Sequence, residues 1–80
     1  MQKFRTTDLI LASTLAYFGQ SLIEVNKNIR GEVEFIFHEN SDLKEIVNQF
    51  NLSELQVSPR RFAVVLKDMK KILYTQKNCN

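Results

Sequence analysis

Glu32-Val33-Glu34-Phe35-Ile36-Phe37-His38 alternates apolar and polar side chains for most of its length. A period of two is the signature of a half-buried strand, whose successive side chains point to opposite faces. Val33, Phe35 and Phe37 are expected to face a core, and Glu32, Glu34 and His38 the solvent. Ile36 breaks the alternation. It falls on the outward face, which implies that this face is partly covered. Upstream, Asn26-Lys27-Asn28-Ile29-Arg30-Gly31 is rich in turn formers, and Leu22-Ile23-Glu24-Val25 reads as another strand. Two strands joined by a short polar loop form an antiparallel hairpin.

Helices are expected on both sides of this hairpin. On the N-terminal side, Thr6-Thr7-Asp8 supplies cap residues, and Leu9, Ala12, Leu15 and Ala16 recur at helical spacing. Gly19 stands where a left-handed cap would close a helix over 7–18. On the C-terminal side, Asn40-Ser41-Asp42 is a second cap cluster, with Asp42 and Glu45 at capping-box spacing. Leu43, Ile46, Val47 and Phe50 form its apolar stripe, and Asn51 ends it. Residues 52–57 then read as a short extended stretch with Leu55 and Val57 on one side. Ser58-Pro59 opens a last helix over 59–74, whose buried stripe is Phe62, Val65, Leu66, Met69 and Leu73. The polar tail, 75–80, is expected to fray, leaving about 4–74 ordered.

The expectation is thus one small α+β domain over residues 1–80, in the order α-β-β-α-β-α. A β-α-β crossover is nearly always right-handed and lays its strands parallel. It would place the third strand beside the first, in a three-stranded sheet of order 2-1-3 packed with three helices. Eighty residues with 44% hydrophobic content and a net charge of +2 exclude both a second domain and a disordered chain.

The same residues exclude much chemistry. The single cysteine, Cys79, allows no internal disulfide, so a disulfide-stapled secreted scaffold is excluded, and it is expected to be an ordinary thiol. The apolar run 9–18 is about ten residues, far short of the ~20 that span a bilayer, and no small-residue cleavage site follows. An intracellular, cytoplasmic protein without a membrane partner is expected. One histidine and one cysteine make no zinc site, and the isolated Gly19 and Gly31 make no phosphate-cradling loop. His38, Asp42 and a serine can be assembled on paper into a triad, but nothing marks a nucleophile. Glu32 and Glu34 read as a solvated strand face rather than a metal or acid–base pair. The protein is expected not to be an enzyme, and to need no metal, cofactor or small-molecule substrate.

Charge supplies the functional lead. Residues 1–40 carry four Lys/Arg and five Asp/Glu, net −1, whereas 55–80 carry six Lys/Arg and one acid, net +5. At 100° per residue, Arg60, Lys67 and Lys71 lie opposite the buried stripe of the last helix, with Val64 and Tyr74 among them and Arg61 and Lys70 on its flanks. A polyanion such as nucleic acid would meet its phosphates there, and Tyr74, or Tyr17, would stack on a base. The plainer explanation is a solubilising outer face. A second expectation is a protein-interaction or self-associating adaptor, built on Ile29 at the loop tip, Ile36 on the outer strand face and Val64 on the outer helix face.

Phe4-Arg5-Thr6-Thr7-Asp8-Leu9, Val33-Glu34-Phe35-Ile36-Phe37, and Val57-Ser58-Pro59-Arg60-Arg61-Phe62 with Leu66-Lys67-Asp68-Met69-Lys70 resemble the domain-of-unknown-function family numbered 5659. That family comprises short stand-alone proteins of prokaryotes and their viruses. Its pattern is similar to a T-T-D-L helix opening, a V-x-F-x-F strand, and R-x-F followed by L-x-D-L-K in the last helix; Met69 stands here in place of Leu. The resemblance implies no activity. It marks Thr7, Asp8, Arg61 and Phe62 as residues to test. Capping accounts for Thr7 and Asp8, and core packing for Phe62. Arg61 has no such account.

Overall fold

In the computed structural model, which describes residues 2–78, the chain runs β1 (Lys3–Thr6), α1 (Leu9–Tyr17), β2 (Leu22–Lys27), β3 (Val33–His38), α2 (Ser41–Asn51) and α3 (Pro59–Lys77). Three helices and a three-stranded sheet make the expected α+β domain. The third strand, however, lies at the N-terminus and not at 52–57. The sheet order is β1-β3-β2, with both pairings antiparallel, so the central strand is the second strand of the hairpin and not the first. The expected crossover through α2 is not formed; instead β1 and β2, each antiparallel to β3 and so parallel to one another, are joined through α1, with β3 between them.

The central strand follows from its composition. Val33, Phe35 and Phe37 are buried on the helix side, and Ile36, at 1% exposure, is buried on the other. A strand apolar on both faces belongs in the middle of a sheet, where neighbours on either side shield it. Arg5 and Glu24 stand opposite Ile36 across the two pairings, and Arg5 reaches Glu34 at 3.4 Å. Ile36 therefore offers no surface to a partner, and its place among the interface candidates is corrected. Phe4 and Leu22 both pair with Phe37, bringing the strand apolar residues onto one core. Both edges of β3 are taken by β1 and β2, and 52–57 pairs with none of the three strands. Its alternation is spent on packing, and Leu55 and Val57 are half-buried.

The helices begin and end for identifiable reasons. Asp8 caps α1, its Oδ1 accepting from the N–H groups of Ile10 and Leu11 at 2.9 and 3.1 Å, while Thr6 Oγ1 accepts from the Asp8 N–H. Thr7 is exposed and takes no part in the cap. Asn40, rather than Asp42, caps α2 by accepting from Leu43 N–H at 2.8 Å. At the end of α1, Gly19 (φ 86°) donates to Ala16 and Gln20 to Leu15, a Schellman closure. At the end of α2, Ser53 (φ 58°) donates to Phe50 and Glu54 to Gln49, the same closure with a side chain present.

Leu11, Ala12, Ser13, Thr14 and Leu15 are consecutive and all buried, so the middle of α1 is enclosed on every side, while Ile10 in its first turn stays exposed. That enclosure is why the apolar run 9–18 shows so little polar relief. Around it the core gathers Leu15, Phe35, Phe37 and Leu43, all at 0% exposure, with Met69 from α3. No helix among the described residues is long and apolar enough to cross a membrane. Helix α3 runs to Lys77, three residues past its expected end, and Lys27 Nζ donates to the Lys77 carbonyl at 3.2 Å. Cys79 and the end of the tail lie outside the described residues.

Candidate nucleic-acid interface

The phase of α3 is the one its sequence dictates. Met69 is buried, and Phe62, Val65, Leu66, Ile72 and Leu73, all within 60° of it on a helical projection, are half-buried. Arg60, Val64, Lys67, Lys71 and Tyr74 are exposed on the opposite side, and Arg61 and Lys70 are exposed on the flanks. Residues three and four apart on a helix have Cβ atoms about 5–6 Å from each other. Arg60, Val64, Lys67, the pair Lys70 and Lys71, and Tyr74 are therefore successive neighbours along one track. From Arg60 to Tyr74 the track is about 21 Å long.

The track is cationic and unneutralised. The side-chain ion pairs among the described residues, Arg5 with Glu34 and Lys44 with Glu39, lie on the sheet and α2. Among the described residues no carboxylate comes within ion-pair distance of Arg60, Arg61, Lys67, Lys70 or Lys71. Asp68 is the only acid on α3.

The start of α3 is fixed by a contact that sequence reading missed. Ser58 occupies the cap position, but its side chain makes no capping bond; instead its backbone N–H donates to Tyr17 Oη at 3.0 Å. The Tyr17 ring packs edge-on against Phe18 at 5.0 Å between centroids and lies 6.0 Å from Phe62. The Arg61 guanidinium sits 5.5 Å from the Tyr17 ring centroid. This cation–π contact gives Arg61 the structural role it lacked in the sequence. It also removes Tyr17 as a stacking platform, since its ring and hydroxyl are already engaged. Nothing in the sequence marks Tyr17 and Arg61 as partners, because they are 44 residues apart and belong to different helices.

Beside this junction an open groove of about 460 Å³ is lined by Thr14, Phe50, Ser53, Leu55, Val57 and Phe62. The remaining interface candidates do not converge. Ile29 is fully exposed at the tip of the β2–β3 hairpin, while Val64 belongs to the track on α3. The acids Glu32 and Glu34 are separated by their partners: Glu32 accepts from Asn28 Nδ2 at 3.2 Å, and Glu34 pairs with Arg5. No group of three or more His, Cys, Asp or Glu side chains is placed to hold a metal ion among the described residues.

The family model described as Domain of unknown function (DUF5659) matches residues 1–75. The chain belongs to this family. No curated protein and no solved structure matches it. The DUF5659 match runs from β1 through Tyr74, so it includes the whole cationic track and the Tyr17 junction. The family description names no activity, and the site rests on its own geometry.

Proposed function

We propose that this DUF5659 domain is a small, non-enzymatic, cytoplasmic binding module that holds nucleic acid on the outer face of α3. The observation that carries the reading is the set of five exposed cations, Arg60, Arg61, Lys67, Lys70 and Lys71, with no acid in ion-pair reach among the described residues. Like charges crowded on one face repel one another, and an arriving phosphate backbone relieves that repulsion while releasing its condensed counterions. The role needs no cofactor, because binding is carried by side chains of the protein itself.

A salt titration of oligonucleotide binding tests this. Affinity is expected to fall linearly on a log–log plot, with a slope of about 0.7 to 0.9 per phosphate neutralised. Reversing Arg60, Lys67 and Lys71 to Glu is expected to abolish binding with the fold intact, since all three are exposed. Retained binding by that variant overturns the reading.

A second reading, a protein-interaction or self-associating module, is favoured by Ile29 at the hairpin tip and by the apolar groove at Phe50, Leu55, Val57 and Phe62. Light scattering in the same samples distinguishes the two. A mass above that of the monomer, without oligonucleotide binding at low salt, moves the assignment to this module.

A further inference from the structure

We infer that the strand held on α3 is single-stranded, with one base stacked on the ring of Tyr74. The inference rests on the reading of α3 as a nucleic-acid surface and narrows it.

The two tyrosines of the chain divide the possibilities. Tyr17 is occupied by Phe18, Phe62, Arg61 and the Ser58 N–H. Tyr74 is 55% exposed and, among the described residues, has no aromatic, cation–π or side-chain hydrogen-bond partner. Its ring stands one turn beyond Lys70 and Lys71 and two turns beyond Lys67, at the end of the cationic track. A bare aromatic face bordered by ammonium groups is the arrangement by which single-strand binders take a base on the ring and its phosphates on the cations. Val64, 59% exposed in the middle of the same track, adds an apolar surface for the face or edge of an unpaired base. In an intact duplex the base faces are already stacked on one another, so neither Tyr74 nor Val64 would gain from it.

The connection between helices also argues against a duplex reader. A helix-turn-helix pair is joined by three or four residues and presents the N-terminal residues of its second helix to base edges. Here residues 52–58 separate α2 from α3, a connection of seven residues. The free ring lies three residues before the C-terminal end of α3, and at its N-terminal end Arg61 is drawn onto Tyr17.

The test compares a short oligothymidylate with a duplex of equal length by fluorescence anisotropy at one salt concentration. The wild-type chain is expected to bind the single strand about tenfold more tightly, as one stacked base warrants. Tyr74→Ala is expected to remove that advantage and leave duplex affinity unchanged, while Tyr74→Phe, which keeps the ring, retains it. Exposure of Tyr74 makes unfolding of the Ala variant no explanation for a loss. Single-strand binding unaffected by Tyr74→Ala, or duplex binding as tight as single-strand binding, overturns the inference. If the Arg60, Lys67 and Lys71 reversal still abolishes both, the α3 surface stands and only its strand preference falls. Binding of neither form by the wild-type chain overturns both readings.

Discussion

Tyr17 and Tyr74 are the same residue on two adjoining helices, and their surroundings differ at every point. Tyr17 closes the junction between α1 and α3: its hydroxyl accepts the otherwise free N–H of Ser58, and its ring meets Phe18, Phe62 and the Arg61 guanidinium. Tyr74 stands in solvent among lysines. The difference shows that residue type sets only what a side chain is able to do. A tyrosine stacks, donates, accepts or fills space, and the elements brought against it decide which of these it does.

Truncating each ring in turn puts this contrast to its hardest test. Tyr17→Ala is expected to destabilise the domain by about 2–3 kcal/mol, somewhat below the range for a fully buried aromatic because Tyr17 is half-buried. Urea denaturation measures it, and a loss no larger than that of Tyr74→Ala would erase the distinction. Removing only the Tyr17 hydroxyl isolates one component. Tyr17→Phe leaves the Ser58 N–H without its acceptor and is expected to cost about 1 kcal/mol, read as a lower urea midpoint with an unchanged slope.

The ends of α1 and α2 repeat the contrast in the backbone. Both close with the same pair of hydrogen bonds, yet Gly19 adopts positive φ without a side chain and Ser53 does so with one. Ser53→Gly is expected to stabilise the domain by about 0.5–1 kcal/mol, since the left-handed conformation costs a residue bearing Cβ roughly that much or more. An unchanged or lower melting temperature would show that the Ser53 side chain, which lines the apolar groove, has a compensating role there. The smallest effect belongs to Tyr74→Ala. Its stability is expected to stay within about 0.5 kcal/mol of wild type, as for other exposed positions, even as single-strand binding falls.

Much of this architecture was legible residue by residue. Asp8 before Leu9, Gly19 after the apolar run, and the phase of Met69 and Val65 on α3 each depend on neighbours within about one helical turn. Those signals therefore survive in a bare sequence. The outward-facing cations of α3 follow from the same periodicity. Residues 3–6 and 52–57 mark where such reading stops. Lys3-Phe4-Arg5-Thr6 carries only one apolar residue and looks like a polar lead-in to α1, whereas Leu55 and Val57 alternate as a strand would. The shorter, more polar segment is the one that pairs with β3, while β2 takes the other edge. Ile36 breaks the alternation of its strand, which signals cover on the outward face, but only the two flanking strands show that the cover comes from within the sheet and not from a partner.

The three helices, the hairpin, the buried stripe of α3 and the basic face opposite it are already written in the order of the residues. These depend on periodicity, caps and charge, all of which act over a few residues of chain. Which segment completes the sheet, and that Arg61 sits over Tyr17, emerge only in the folded chain. Periodicity already puts Tyr74 on the basic face; it is the engagement of Tyr17 that leaves Tyr74 as the open ring. A strand has no independent existence without an edge to pair with, and a side chain has no fixed role until distant segments occupy its faces. Both conditions are set by long-range packing, where sequence separation carries no information about distance.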